Sequence, residues 1–211
     1  MVRVHRESAQ RRRDALLRAA VEIVAESGTG AATHRAIAGR AGLPPATTSY
    51  FFASIDDLLV EATRRFTAEQ AAAYEALAAE LADAPPREFA SRFAAALLSS
   101  DRIVELAQVE AYLHAARDPA VRPGAAAVMD AFEHATITTL AAAGVTDPER
   151  HARMFMAYVD GFILQHLANP QPDDEARLRD GLDVLFHAAF SSRDVHRPGA
   201  FRAPQTIGGR E

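Results

Sequence analysis

Residues 42–52, GLPPATTSYFF, decide the fold. A glycine and two adjacent prolines separate two short helix-forming stretches. On the N-terminal side Thr33 is placed to cap a helix that runs to Ala41 and ends at Gly42. On the other side Pro45 suits the first turn of a helix, where its missing N–H has no intrahelical role. That helix runs to about Phe52. Two short helices joined by a turn containing glycine make the helix-turn-helix pattern. Ile37, Ala38 and Ala41 form the inner face of the first helix, Leu43 plugs the turn, and Gly42 supplies left-handed backbone. The second helix of such a pair enters a major groove about 12 Å wide, so small residues at its start are useful. Ala46, Thr47, Thr48 and Ser49 meet that requirement. Phe52 is expected to pack beneath the helix, and Tyr50 to offer its hydroxyl to a phosphate.

Outward from this stretch the chain reads as helix after helix, with almost no strand signal, so the fold class is all-α. Ala15, Leu16, Ala19, Ala20, Ile23 and Val24 make an apolar stripe on a helix that stops at Gly28. Ser54 is placed to cap a long fourth helix reaching Leu81, with Asp56 and Asp57 in its first turn, where acids favour the dipole. Further helices are expected at about 86–99, 102–116, 119–143, 148–168 and 174–190, punctuated by Asp118-Pro119, Gly144 with Pro148, and Asn169-Pro170. The pattern is three short helices and then five or six longer ones. It divides into a head at 1–53 with a basic N-terminal arm, a helical body at 54–190, and a disordered tail at 191–211. Head and body share the fourth helix, which leaves no flexible linker between them.

Charge follows the same division. Residues 1–50 carry eight Arg against four acids, and the remainder fifteen against twenty-four, which together give the net charge of −5. A basic head on an acidic body implies a polyanionic partner for the head alone. All 23 basic residues are arginine, consistent with GC-rich coding. The absence of cysteine excludes disulfides and thiolate metal sites and fits a reducing compartment. No stretch approaches the roughly 18 apolar residues of a membrane span, and the N-terminus lacks the apolar core of a signal peptide. A soluble cytoplasmic protein is expected.

Residues 11–59, RRRDALLRAAVEIVAESGTGAATHRAIAGRAGLPPATTSYFFASIDDLL, resemble the TetR family of transcriptional regulators. The resemblance rests on a first helix with paired alanines and a closing glycine, a threonine-capped I-A-x-x-A-G, an aromatic Y-x-F end to the recognition helix, and an S-x-D-D-L-L opening the fourth. It covers about the first 60 residues; beyond them only helix count and length agree. It implies that Arg35 reads a base, with Thr33 and His34 near the backbone. Thr47 and Phe51 face the groove, while Thr48 packs inward. Pro45, Ala46, Ser49 and Tyr50 complete the recognition surface. Ser49 stands where many members have a backbone-touching tyrosine, and Tyr50 follows one step later. Arg11 and Arg12, with Arg3, Arg6 and Arg13, belong to an arm that tracks the backbone or reaches a minor groove. In two places the chain departs from the pattern. Pro44 stands where a serine-like cap is common, and Ile55 where a backbone-touching lysine is common. Loss of one phosphate contact lowers the salt slope by about 1.

The resemblance also implies a homodimer built from the last two long helices. Phe155, Val159, Phe162 and His166 form one face of the first; Leu178, Leu182, Leu185 and Phe186, with Ala189, form one of the second. The helices before them would enclose a ligand cavity. Phe89, Phe93, Glu110, Tyr112 and His114 are candidate lining residues, with Met129, Phe132, Met154 and Tyr158. Together they suggest a largely apolar or aromatic effector. The implied logic is a repressor on a palindromic operator, released by a small molecule through a population shift.

Other readings remain open. Four acid–histidine pairs recur at i,i+4: Glu110–His114, Asp130–His134, Asp147–His151 and Asp183–His187. Helical bundles build metal sites from such groups, so a metal-responsive regulator is an alternative. The same spacing also simply supports a helix by about 0.2–0.5 kcal/mol. No catalytic motif stands out: there is no Gly-rich phosphate loop, nucleophile elbow or HExxH. No cofactor, metal ligand or catalytic residue is assigned, and an enzyme is not expected. A nonspecific DNA-coating protein is disfavoured by the acidic body.

Overall fold

The computed structural model describes residues 2–82, 85, 88–98 and 101–191, with side chains from Ser8 onward apart from that of Ala82. The expected tail beyond residue 191 lies outside the described residues, as do the side chains of Arg3 and Arg6. All regular structure among the described residues is helical. In chain order the α-helices are α1 (Val2–Ser27), α2 (His34–Arg40), α3 (Ala46–Phe51), α4 (Ile55–Ala82) and α5 (Phe89–Leu98). They continue with α6 (Arg102–Arg117), α7 (Arg122–Ala142), α8 (Pro148–Ala168) and α9 (Asp174–Ser191).

The caps are local chemistry. Thr33 Oγ1 accepts from the Ala36 amide at 3.1 Å, and Ser54 Oγ from the Asp57 amide at 3.0 Å. Asp101 Oδ1 accepts from the Ile103 amide at 3.0 Å to open α6. Helices α2 and α7 close alike. Gly42 (φ 67°) and Gly144 (φ 80°) take left-handed backbone. The next amides, of Leu43 and Val145, then reach back to the carbonyls of Ala38 at 2.9 Å and Leu140 at 3.0 Å. Each is a six-to-one closure that satisfies an orphan carbonyl, and glycine adopts the backbone it needs without penalty.

Two helices begin differently from expectation. The first is not short: α1 is 26 residues long and continuous from Val2, because no breaker precedes Gly28. Its polar first half adds one-turn bonds, Gln10 to Asp14 at 2.9 Å and Arg12 Nε to the Ser8 carbonyl at 3.3 Å. Helix α7 begins at Arg122 rather than 119, because Asp118 Oδ1 accepts from the Ala120 amide at 2.8 Å and holds a turn.

The two largest apolar clusters lie in the head and in the body. The head core gathers Leu16, Leu17, Ala20 and Ile23 of α1, Ile37 of α2, and Leu58 and Leu59 of α4, with Phe52 beneath. The body core is aromatic: Phe89 meets Phe186 at 4.3 Å between centroids, Phe93 meets Phe132 at 5.5 Å, and Phe155 meets Phe186 at 5.2 Å. Such pairs contribute about 0.5–1.5 kcal/mol each beyond their burial. Helix α4 belongs to both regions. Over 28 residues it spans about 42 Å. It packs along α7, where a side chain on Gly124 would meet Thr67 Oγ1 at 2.5 Å.

Candidate functional site

In the head, α2 and α3 are braced so that one side of each is exposed. Ile37, Ala38 and Thr48 are buried. Thr48 Oγ1 donates its single hydrogen to the Pro45 carbonyl at 2.9 Å and therefore accepts from His34 Nδ1, also at 2.9 Å. Arg35, Pro45, Ala46, Ser49 and Tyr50 are exposed, and Thr47 is half-buried. Tyr50 is 79% exposed and braced edge-on by Phe51 at 4.9 Å. Phe51 is half-buried and leans on the head core, so it supports the recognition surface from below as much as it faces outward.

The arginines separate into two kinds. Arg40 is held by Glu26 at 2.6 Å and Glu22 at 3.2 Å, both on α1. These bonds raise its pKa, while Arg40 lowers that of Glu26. Arg13 pairs with Glu61 and lies over the Phe52 ring, so it fastens α1 to α4. Arg65 does the same through Asp14. Arg11, Arg12 and Arg35 are exposed and make no ion pair among the described residues. Arg11 and Arg12 stand on a helix, not on an extended arm. The departures from the family pattern also have structural reasons. The Pro44 carbonyl accepts from the Thr47 amide at 2.9 Å, which serves the start of α3 without a side-chain cap. Ile55 packs against the head core.

In the body, α4, α5, α6 and α8 enclose a cavity of about 330 Å³. Tyr74 and Leu77 come from α4, and Ala96 and Leu97 from α5. Helix α6 contributes Val104, Glu105, Gln108 and Tyr112, and α8 contributes Val159, Asp160 and Ile163, with Leu113 and Leu164 at the exposed rim. Gln108 Nε2 donates to Tyr112 Oη at 3.1 Å and to Tyr74 Oη at 3.3 Å. Burial pushes both phenols up, as does the charge of Asp160. Burial also raises the carboxyl of Asp160. Glu105, 8% exposed, is likewise raised by burial, with His166 and Arg102 pulling it back.

Of the expected ligand residues, Tyr112 lines this cavity. Phe89, Phe93 and Phe132 are in the aromatic core instead, with Phe89 stacked on Phe93 at 5.5 Å. Glu110 and His114 border a crevice of about 20 Å³ against α1, where His114 Nδ1 meets Thr63 Oγ1 at 3.2 Å. Met154 is 49% exposed, Met129 is half-buried away from the cavity, and Tyr158 donates to the Arg177 carbonyl at 3.1 Å. Tyr74, Glu105, Gln108 and Asp160 were missed. A signal for part of this set was present: Glu105, Gln108 and Tyr112 form a polar row at i, i+3 and i+7, which shares one helical face.

The expected dimer residues are also placed differently. Phe155, Val159, Phe162, Leu178, Leu182 and Phe186 are 0–7% exposed within the single chain. They join α8 and α9 to the body core and leave little surface for a partner. Leu185 is half-buried against the same core, and His166 Nδ1 donates to Asp174 Oδ2 at 2.6 Å. Exposed apolar residues of the pair are Met154, Val184 (68% exposed) and Leu164 (56% exposed), the last also at the rim of the cavity.

The acid–histidine pairs do not converge. His151 and His187 turn Nδ1 to the carbonyls of Asp147 at 2.9 Å and Asp183 at 2.7 Å, not to the carboxylates. Among the described residues no group of three His, Asp or Glu could hold a metal ion. Nor is any described helix long and apolar enough to cross a membrane.

Comparison with known proteins follows this division. Residues 16–62 match the bacterial regulatory proteins of the tetR family, and residues 84–189 match the tetracyclin repressor-like C-terminal domain. No curated protein matches the chain. Among solved structures, a TetR-family member from Streptomyces coelicolor A3 is 34% identical, with 82% of this chain and 97% of that one covered, at a TM-score of 0.66. The multidrug binding protein EbrR in complex with proflavin is 33% identical over 82% and 99%, at 0.59. The same protein with ethidium is 35% identical over 82% and 97%, at 0.61. The chain belongs to the TetR family of transcriptional regulators.

Proposed function

We propose that this regulator is a repressor that binds a palindromic operator as a homodimer and is released when a small, largely apolar or aromatic molecule fills the body cavity. The observation that carries this reading is the run of α4. Its first turns hold Leu58, Leu59 and Ala62 in the head core, and its later turns place Tyr74 and Leu77 in the cavity wall. Anything that moves the wall of the cavity moves a helix to which the head is packed. EbrR, a relative at 33–35% identity, is seen with proflavin and with ethidium, and a cavity of this size suits ligands of that bulk.

The dimer would form through the outward face of α8 and α9, where Met154 and Val184 are exposed and Leu164 stands at the rim of the cavity. Gly161 lies between Met154 and Leu164 along α8, and a Cβ there would meet nothing within 4 Å, so backbones can approach closely. Dimerisation sets the two heads about one helical turn of DNA apart. A ligand that favours a different separation weakens operator binding by its differential affinity for the two forms. A tenfold effect needs about 1.4 kcal/mol. The domain division at residue 53 is then functional: DNA contact before it, ligand and partner contact after it.

The test is fluorescence anisotropy of the protein on DNA from upstream of its own gene, against a scrambled duplex, at two salt concentrations. Tight binding with strong preference for the native fragment, reversed by an aromatic ligand, is the expected result. Equal weak binding to both duplexes would overturn the specific-repressor reading for that fragment.

A further inference from the structure

We propose that the ligand taken by the body cavity is an organic cation, its positive charge set against Asp160 and its apolar body against the aliphatic wall. This rests on the ligand-controlled reading above and names the chemistry of that site.

The cavity wall holds two carboxylates and no Arg, Lys or His among the lining residues. Buried carboxylates are normally answered by a cation or by several hydrogen bonds, because desolvation of an unpaired charge is costly. Glu105 is 8% exposed, and its carboxylate makes no hydrogen bond among the described residues. Its charge is partly answered from behind, since Arg102 and His166 both act on it. Those two groups are themselves engaged outward. Arg102 donates to the Leu167 carbonyl at 3.1 Å, and His166 to Asp174. Asp160 is half-buried at the cavity wall; its carboxylate has neither a hydrogen bond nor an ion pair among the described residues, and no basic group acts on it. It is the charge the protein leaves for something else to neutralise.

The remaining wall fits the rest of such a molecule. Leu77, Leu97, Val104 and Ile163 present aliphatic surface. Tyr74 and Tyr112 add two rings whose faces attract a cation, and Gln108 ties their hydroxyls together. An anion would meet two like charges, and a neutral molecule would leave Asp160 unanswered, so the site discriminates by charge as well as by bulk. Asp160 also sits on α8 one turn before Leu164, which lines the same cavity and adds to its apolar wall.

The experiment is isothermal titration of the full-length protein with N-methylquinolinium, with quinoline at a pH where it is uncharged, and with naphthoate. The wild type is expected to bind the quinolinium most tightly. Asp160→Asn should weaken the quinolinium about tenfold or more while changing quinoline by less than about twofold, and Asp160→Glu should restore the preference. Retained quinoline binding shows that the cavity is intact. Preference of the wild type for quinoline or naphthoate, equal losses of both ligands in Asp160→Asn, or no binding of the quinolinium would each overturn the proposal. Operator release is read separately by anisotropy. Cation binding that depends on Asp160 but releases no DNA would leave this inference standing and sink the ligand-controlled reading. Release by a neutral or anionic ligand would do the reverse.

Discussion

His34 and Thr48 are joined at 2.9 Å, and this bond links the first residue of α2 to the middle of α3. Thr48 is fully buried and spends its hydroxyl hydrogen on the Pro45 carbonyl, so its oxygen has no role but to accept from His34. Two hydrogen bonds thus set the position of the short recognition helix. Thr48→Val should destabilise the protein by about 1–3 kcal/mol, because both side-chain bonds are lost and His34 Nδ1 loses its partner, whereas Thr48→Ser should be milder. Urea unfolding of the pair checks it; identical midpoints would show that the bonds contribute nothing.

Arg35 is exposed on the same face and free of ion pairs among the described residues. Arg35→Ala should weaken operator binding by about 1–3 kcal/mol and relax preference at one position in each half-site. Competition against single-base operator variants measures this. An equal loss on random DNA would reduce Arg35 to a phosphate contact.

Two neighbours on α8 separate folding from assembly. Phe162 is 7% exposed and Leu164 is 56% exposed. Leu164→Glu should give a folded monomer in sedimentation. Phe162→Glu should instead cost several kcal/mol of stability, about 3–5, because it buries a charge in the core. A dimer that survives Leu164→Glu would place the interface on another face.

Glycines of α8 and α9 make a similar contrast. A Cβ on Gly181 would lie 2.0 Å from Tyr158 Oη, while one on Gly161 meets nothing within 4 Å. Gly181→Ala must push the Tyr158 ring aside and break its bond to the Arg177 carbonyl, at about 1–3 kcal/mol. Gly161→Ala should add up to about 1 kcal/mol of helix stability to the protomer. Thermal melts of the two variants should move in opposite directions, and Gly161→Ala should weaken the dimer at the same time.

Asp160 gives a pH signature. Burial raises its carboxyl above the ordinary value of 3.8, so the folded chain holds that proton more firmly than the unfolded chain does. Stability from this group is full below the ordinary value, falls as pH rises through the folded value, and stays reduced above it. Asp160→Asn should remove that fall and raise the melting temperature near neutral pH. Unfolding midpoints of both proteins from about pH 4 to 7 provide the check; parallel curves would show that Asp160 is not strained by burial.

The fold was legible wherever local chemistry dictates it. Thr33, Gly42 and Ser54 do as caps and closures what their types suggest, and most helix bounds follow breakers that a single sequence displays. The cavity was not legible, because the same periodic aromatics serve a core or a pocket. Phe89, Phe93 and Phe132 fill space between helices, and only the crossing of α4, α5, α6 and α8 leaves room beside Tyr74 and Gln108. Burial of the expected interface residues of α8 and α9 has a similar reason. Apolar stripes mark the better-buried side, and in these helices that side belongs to the chain's own core. The weaker outward side is held by isolated residues such as Leu164 and Val184.

Of the six residues of α3, Thr48 alone is buried. Phe51 leans on the head core, and the other four positions are almost unburdened by folding. Address and architecture are therefore written in different residues. Exchanges at Ala46, Thr47, Ser49 and Tyr50 should leave the helix seated, because Thr48 and its partner hold it. A regulator built this way is open to change on its exposed surface, by mutation over generations or by an engineer at the bench, without its seating having to be built again.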